Sequence, residues 1–118
     1  MRILVADDQA KVRFALRVLL QQQPRLEVVN EATDGESLLV SASIDCPELV
    51  LLDWELPHLA GKEALTALRS TCPGVLVIAL SGRPEVRSAA LAAGADGFVC
   101  KCDPPERLLG AIAALWRE

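Results

Sequence analysis

The chain has no excess of positive charge and no long apolar run. Its 118 residues include 12 Lys and Arg against 16 Asp and Glu, so the formal net charge is −4. This balance argues against a nucleic-acid-binding surface, because such surfaces usually carry a basic face. The longest apolar run, Val75–Leu80, has only six residues, so we expect neither a signal peptide nor a membrane span. The expected location is the cytoplasm.

Cysteines in C-x-x-C motifs and clustered histidines are also absent. The four cysteines are Cys46, Cys72, Cys100 and Cys102, and His58 is the single histidine. These spacings argue against a zinc site. A chain of this length buries enough apolar surface to fold without disulfides, so we expect free thiols with structural roles in a reducing cytoplasm. We expect His58 to be exposed in a loop.

Short apolar segments alternate with amphipathic segments along the whole chain. The apolar segments, which are the candidate strands, are Ile3–Ala6, Val28–Val29, Leu49–Leu52, Val75–Leu80 and Gly97–Cys100. Several of them are continuously apolar, as is typical of strands buried on both faces of a parallel sheet.

The segments between the strands have a helical period of about 3.6 residues. The first predicted helix ends before Pro24, and the others span residues 35–42, 61–70, 84–93 and 104–116. Asp34 is the expected N-cap of the second helix, and Gly94 is expected to stop the fourth. The apolar stripes of the first, fourth and fifth helices consist of Val12, Ala15, Leu16 and Leu19, of Val86, Ala89, Ala90 and Ala93, and of Leu108, Ile112 and Leu115.

Five strands that alternate with five helices predict an α/β fold of the (βα)5 type. Right-handed crossovers place the helices on both faces of one doubly wound, parallel, five-stranded sheet. No linker, repeat or low-complexity segment interrupts the pattern, so residues 1–118 are predicted to form one domain. Ligands of such sheets bind beyond the carboxyl ends of the strands.

Polar residues follow four of the five candidate strands at this edge of the sheet. They are Asp7 and Asp8 after the first strand, Asp53 after the third, Ser81 after the fourth and Lys101 after the fifth. Three clustered carboxylates repel one another near apolar strand ends and need a cation. Mg2+ fits this need, since it binds a few carboxylates and keeps several waters.

Phosphoryl chemistry is the reaction that this set of residues predicts. With its charge screened by a metal ion, the carboxylate of Asp53 can attack phosphorus and form an aspartyl phosphate. Asp7 and Asp8 belong to an acidic loop that is better suited to the cation. Lys101 and Ser81 supply a positive charge and a hydroxyl donor for the phosphoryl oxygens.

Together these residues resemble the receiver domain of two-component response regulators. The matching stretches are Asp7–Asp8, Leu51–Gly61, Leu80–Gly82 and Gly94–Lys101, and the resemblance covers essentially the whole chain. It implies a flavodoxin-like fold with strand order 2-1-3-4-5. The stretch from Lys101 to Leu109 is most similar to regulators with a C-terminal LuxR-type helix-turn-helix domain, which implies a transcriptional output.

The resemblance implies a role for each acidic residue. Asp53 would accept a phosphoryl group from the phosphohistidine of a histidine kinase or phosphotransferase domain. Mg2+ would be bound by Asp8, Asp53 and the backbone carbonyl of Glu55, with Asp7 assisting. Such a domain is not an enzyme in the usual sense, because it catalyses only its own phosphorylation and dephosphorylation.

The resemblance also implies a conformational switch. Ser81 and Lys101 would contact the phosphoryl oxygens, and Phe98 would be the aromatic residue that turns inward as Ser81 moves. Glu55 and Arg83, each two residues after a site residue, would flank the phosphoryl pocket. Their opposite charges are expected to pair across its mouth and to slow the attack of water on the acyl phosphate.

One position departs from the family pattern. Most receiver domains have proline after the lysine and a cis peptide bond there, whereas Cys102 follows Lys101 in this chain. A cis bond to a residue other than proline costs about 3 kcal/mol. We therefore expect a trans bond between Lys101 and Cys102.

Apolar residues beside the helical stripes are candidate contact surfaces. Phe14 and Val18 lie off the stripe of the first helix, and the resemblance favours them as a docking site for a kinase helix. Leu91, Leu109 and Trp116 are candidates for a homodimer or interdomain surface.

Three other functions remain as alternatives. One is a receiver-like binding module that works without phosphorylation. A second is an aspartyl-phosphate phosphohydrolase of the haloacid dehalogenase type, although the D-x-D-x-[TV] signature is not met at Asp53–Pro57 and no cap domain fits in 118 residues. A third is a flavodoxin-like FMN carrier, in which Asp7 and Asp8 would repel the phosphate of the cofactor.

Overall fold

In a computed structural model, which describes residues 1–116, five parallel strands form one sheet in the order β2-β1-β3-β4-β5. The strands are β1 (Arg2–Ala6), β2 (Glu27–Ala32), β3 (Leu49–Asp53), β4 (Leu76–Ser81) and β5 (Gly97–Cys100). The helices are α1 (Ala10–Gln21), α2 (Gly35–Ile44), α3 (Gly61–Thr71), α4 (Arg87–Ala92) and α5 (Pro105–Leu115). The predicted fold class and strand order are confirmed.

The core consists of two apolar layers, one on each face of the sheet. Alternate residues of the central strands β1, β3 and β4 point to opposite faces, because successive side chains of a strand alternate. One layer contains Leu4, Val50 and Val77 together with buried residues of α2 and α3. The other contains Ile3, Leu49 and Ile78 together with buried residues of α1 and α5.

Local signals set several helix ends. The side chain of Asp34 caps α2 by accepting a hydrogen bond of 2.8 Å from the Ser37 backbone N–H, as predicted. Gly94, with a φ of 109°, follows α4. At Gly61, with a φ of 51°, a Cβ atom would lie 2.9 Å from the Trp54 ring, so only glycine fits there. His58 is exposed in its loop, as predicted.

Two helices differ from the prediction. The buried residue of α1 is Leu20, whereas Ala15 of the predicted stripe is exposed. The segment predicted as the fourth helix begins with a 3-10 turn, Pro84–Val86, which precedes α4, and Ala89 of its predicted apolar stripe is exposed. The tighter turn rotates the residues that follow, so a single 3.6-residue period does not fit the whole segment.

The expectation of free thiols is wrong. Cys46 is bonded to Cys72, and Cys100 is bonded to Cys102. The first pair joins residues that are 26 positions apart, so chain folding and not sequence spacing brings its sulfurs together. The predicted trans bond between Lys101 and Cys102 is confirmed, since no peptide bond within residues 1–116 is cis. None of the described helices has the length and apolar character that crossing a bilayer requires.

Candidate functional site

Three carboxylates meet at the carboxyl ends of β1 and β3. Asp7 follows β1 directly and is fully buried, and Asp53 is the last residue of β3 with 3% exposure. Asp8 is exposed beside them. One oxygen from each carboxylate lies within 4.8 Å of the others. The cluster predicted from the strand ends is therefore present.

Backbone N–H groups hold two of these carboxylates in place. The Oδ1 atom of Asp7 accepts a hydrogen bond of 2.8 Å from the Gln9 N–H, and Oδ1 of Asp53 accepts one of 3.0 Å from the Glu55 N–H. In both residues the loop after the strand therefore fixes one oxygen. The other oxygen, Oδ2, is left facing the site.

The ammonium group of Lys101 lies against both of these Oδ2 atoms. It is 2.6 Å from Asp7 Oδ2 and 3.5 Å from Asp53 Oδ2. The Lys101 backbone is held as well, because its N–H donates a hydrogen bond of 2.8 Å to the Ser81 carbonyl. Lys101 thus supplies the positive charge that the sequence predicts at this edge of the sheet.

The electrostatic surroundings shift two pKa values. Burial raises the pKa of Asp53; the hydrogen bond from the Glu55 N–H opposes this shift, and the charge of Asp7 adds to it. Burial on its own lowers the pKa of Lys101, but the hydrogen bond to Asp7 and the charge of Asp53 outweigh it, so the pKa of Lys101 is raised. The charged form of Asp53 is therefore destabilised, and that of Lys101 is favoured.

Ser81 makes a contact that sequence reasoning missed. Its buried hydroxyl donates a hydrogen bond of 2.9 Å to Glu55 Oε1 and accepts one of 3.0 Å from the Arg83 N–H. Within residues 1–116, no ion pair joins the side chains of Glu55 and Arg83, so the expected pairing is replaced by the contact with Ser81. No sequence signal indicates this partner, because it depends on the side-chain conformation of Glu55.

Phe98 lies on β5, where its register partner on β4 is Ala79. Its ring is partly buried and packs against the apolar layer that contains Leu4 and Val77.

The donor set fits a hard cation. Asp7 Oδ2 is buried and, within the described residues, has no well-aligned hydrogen bond beyond the ion pair with Lys101. A carboxylate oxygen has two acceptor positions, so this atom retains acceptor capacity. Carboxylate and carbonyl oxygens are the ligands that Mg2+ prefers. The acidic cluster is thus chemically suited to hold the ion.

The candidate contact surfaces differ in exposure. Phe14 is 59% exposed, Val18 40% and Leu91 38%. Leu109, by contrast, is partly buried and packs against the core. Trp116 is partly buried, and the Arg25 guanidinium lies 6.0 Å from its ring centroid. Phe14, Val18 and Leu91 are thus exposed, whereas Leu109 and Trp116 are only partly accessible.

Comparison with known proteins identifies the family. The sequence profile of the response regulator receiver domain matches residues 3–113, so the chain belongs to the receiver domain family of response regulators. A phosphoacceptor signalling role is standard for this family. The chain is a signalling domain.

The relatives include a response regulator and a transcriptional regulatory protein. The chain is 37% identical over 112 residues to the nitrate/nitrite response regulator protein NarL of Escherichia coli, with 93% of this chain and 52% of the relative covered. It is 30% identical to the transcriptional regulatory protein DesR of Bacillus subtilis, with 96% and 57% covered. The chain therefore spans about half the length of these relatives.

Solved structures agree with this assignment. A LuxR-family two-component response regulator from Aurantimonas sp. SI85-9A1 superposes with a TM-score of 0.89 at 30% identity, covering 97% of this chain and 83% of that one. The receiver domain of NarL from Mycobacterium tuberculosis gives 0.86 at 29% identity, covering 96% and 93%.

Proposed function

We propose that the chain is a phosphoacceptor receiver domain in which Asp53 takes a phosphoryl group from the phosphohistidine of a histidine kinase or phosphotransferase domain. The observation that carries this proposal is the position of Asp53. Its Oδ2 atom faces the Lys101 ammonium at 3.5 Å and lies beside Asp7 and Asp8 at the end of the central strand β3. In this proposal, residues 1–118 form this one domain.

In the reaction, Asp53 Oδ2 forms a bond to phosphorus while the bond between phosphorus and the histidine nitrogen of the donor breaks. Lys101 and Ser81 would contact the phosphoryl oxygens with an ammonium group and a hydroxyl. Asp7, Asp8, Asp53 and the backbone carbonyl of Glu55 are the groups that would hold Mg2+, which when bound neutralises negative charge at the reacting centre. The domain has no other substrate in this proposal.

The phosphoryl group would act through a small conformational switch. It adds a charge of roughly −1.5 to −2, which competes with Glu55 for the hydroxyl of Ser81. Movement of Ser81 and inward rotation of Phe98 would then carry the signal to the surface. Glu55 contacts the Ser81 hydroxyl with its carboxylate, and Arg83 contacts it with its backbone N–H; both residues are assigned to the control of phosphoryl lifetime through Ser81.

The proposed output is control of transcription in the cytoplasm; the relative DesR is a transcriptional regulatory protein. In this proposal the receiver segment itself makes no nucleic-acid or membrane contact, and phosphorylation favours a homodimer. Leu91, Leu109 and Trp116 remain the candidate surface for that dimer or for an output domain.

The kinase surface is assigned to Phe14 and Val18 on α1. Both side chains are exposed and lie four positions apart on one helix, which is the spacing that a partner helix contacts. Since α1 begins at Ala10, directly after the acidic loop, a partner bound there is close to Asp53.

The test is the intact mass of the protein after incubation with acetyl phosphate, with Mg2+ or with EDTA. We expect wild type to gain one base-labile phosphoryl group only when Mg2+ is present, and Asp53→Asn to gain none. If wild type gains no phosphoryl group, its spectrum is recorded with beryllofluoride, a stable phosphoryl mimic. A spectral change then shows that the site binds the mimic and that the phosphoryl adduct is short-lived. The absence of any response to beryllofluoride contradicts the proposal.

A further inference from the structure

Two of the four cysteines flank the site lysine. Cys100 ends β5, Cys102 follows Lys101, and a disulfide joins them. We propose that Cys100 and Cys102 are a reversible dithiol and disulfide site whose oxidised form holds Lys101 in position for phosphoryl transfer. This inference rests on the function proposed above and adds regulation to it.

The two thiols differ in accessibility in a way that favours an internal disulfide. Cys102 is exposed, whereas Cys100 is only 5% exposed. Cys100 also lines an apolar cavity of about 320 Å³ between α1 and α5. An outside reagent therefore reaches Cys102 first, and Cys100 then finds the modified sulfur within bonding distance, since the two Cα atoms are 5.1 Å apart.

The oxidant in this proposal is a small disulfide, RSSR. The Cys102 thiolate attacks one of its sulfurs, forms a Cys102–S–S–R mixed disulfide and releases one RS⁻. The Cys100 thiolate then attacks the Cys102 sulfur, which closes the internal disulfide and releases the second RS⁻. The two protons of the cysteines go to these two thiolates, so the cysteines lose two electrons and RSSR gains them.

The disulfide acts on the local backbone and not on global stability. It joins residues only two positions apart, a loop too short to restrict the unfolded chain much. Besides the disulfide, two backbone hydrogen bonds hold the turn around Lys101, from the Lys101 N–H to the Ser81 carbonyl at 2.8 Å and from the Asp103 N–H to the Cys100 carbonyl at 2.9 Å. The Cys100 N–H also donates a hydrogen bond of 3.1 Å to Oδ2 of Asp103. A covalent link across this turn removes alternative positions of the Lys101 backbone.

Lys101 is the residue for which this restriction matters. Its ammonium contacts both Asp7 and Asp53, and a group held in its reacting geometry accelerates the reaction because it has less freedom to lose. Exposed disulfides are the ones that exchange readily with small thiols. In a cytoplasmic protein, disulfides of this kind usually serve in redox sensing.

The experiment compares wild type, Cys102→Ser and Cys46→Ala after treatment with oxidised glutathione or with dithiothreitol. Peptide masses report the link between Cys100 and Cys102, amide hydrogen exchange reports the order of residues 101–103, and the initial rate with acetyl phosphate and Mg2+ reports function. Cys46→Ala is the control that removes the distant disulfide.

We expect oxidised wild type and oxidised Cys46→Ala to be phosphorylated at least about threefold faster than their reduced forms, with slower exchange at Lys101 and Asp103. Cys102→Ser should match reduced wild type in both conditions. A missing link between Cys100 and Cys102, unchanged exchange, or equal rates in the two redox states overturns the redox site. If no protein is phosphorylated in any state and wild type does not respond to beryllofluoride, the proposed function fails, and the mass and exchange data still decide whether the redox site exists.

Discussion

The hydroxyl of Ser81 donates a hydrogen bond of 2.9 Å to the carboxylate of Glu55. In the proposed function, the same hydroxyl is needed by the phosphoryl group on Asp53. Glu55 therefore competes with the phosphoryl group for Ser81, and its negative charge disfavours further negative charge in the site.

Removing this competition should speed phosphorylation. We expect Glu55→Ala to raise the initial rate with acetyl phosphate about threefold, because Ser81 becomes free and a repulsive charge is lost. The backbone carbonyl assigned to the metal is unchanged in this variant. Glu85→Ala, which removes an exposed carboxylate from the turn after β4, is the matched control. An unchanged or lower rate for Glu55→Ala contradicts the competition.

Asp53 should lower the stability of the protein in the absence of Mg2+. Its pKa is raised by burial, so the folded state binds the proton more tightly than the unfolded state does, and stability falls as the pH rises through the folded pKa. Asp53→Asn should therefore be more stable than wild type by about 1 kcal/mol at pH 7.

The pH dependence is the control for this prediction. Below the unfolded pKa of about 3.9 the carboxyl is neutral in both states, so the difference between Asp53→Asn and wild type should vanish there. Urea denaturation in EDTA, at pH 7 and at a pH below about 3.9, measures the difference in unfolding free energy between the two proteins. A variant that is less stable than wild type at pH 7 contradicts the electrostatic explanation.

Lys101 should stabilise the fold through its ion pair with the buried carboxylate of Asp7. Lys101→Met leaves that charge without its partner and should cost about 2 kcal/mol of unfolding free energy at pH 7. The pKa of Lys101 is raised in the folded state, so its contribution is complete below the unfolded pKa of about 10.4 and is lost as the pH rises through the folded value.

Two variants test this assignment. Lys62 is an exposed lysine on α3. The control variant Lys62→Met should change the unfolding free energy by less than about 0.5 kcal/mol. Adding Asp7→Asn to Lys101→Met should recover part of the loss. If the double variant is no more stable than Lys101→Met, the lysine does not act through Asp7.

Much of this site follows from the sequence because it lies at strand ends. Buried parallel strands have continuous apolar runs, and the polar residue after each run is therefore visible in the sequence, as with Leu49–Leu52 followed by Asp53. The contact between Ser81 and Glu55 and the disulfide between Cys46 and Cys72 were missed, since both depend on how side chains from separate segments meet. On α1, Leu16 and Leu19 of the predicted stripe pack against the core, but the stripe wrongly included Ala15 and missed the buried Leu20.

The disulfide between Cys46 and Cys72 should contribute to stability in a way that the one between Cys100 and Cys102 does not. It closes a loop across 26 positions, which restricts the unfolded chain. Cys46→Ala leaves the buried Cys72 as a small apolar side chain, and under oxidising conditions it should lose about 2 to 4 kcal/mol relative to wild type. Cys102→Ser serves as the comparison, and an equal loss in both variants rejects the loop-length argument.

Phe14 and Val18 should affect transfer from a protein donor only. We expect the double variant Phe14→Ala and Val18→Ala to lower the rate of phosphotransfer from a histidine kinase about tenfold, because hot-spot side chains often contribute more than about 1 kcal/mol to binding. The rate with acetyl phosphate should stay the same. Val40→Ala, which shortens an exposed apolar residue on α2, is the control. Equal loss with both donors would indicate damage to the site instead of the docking surface.

The central claim is that Asp53 carries the phosphoryl group, and chemical trapping tests it most directly. Wild type is phosphorylated with acetyl phosphate and Mg2+ and reduced with borohydride, which converts an acyl phosphate of aspartate to homoserine, and the peptides are then sequenced by mass spectrometry. The account predicts homoserine at residue 53, with Asp7 and Asp8 unchanged. Homoserine at Asp7 or Asp8, with Asp53 intact, would contradict it.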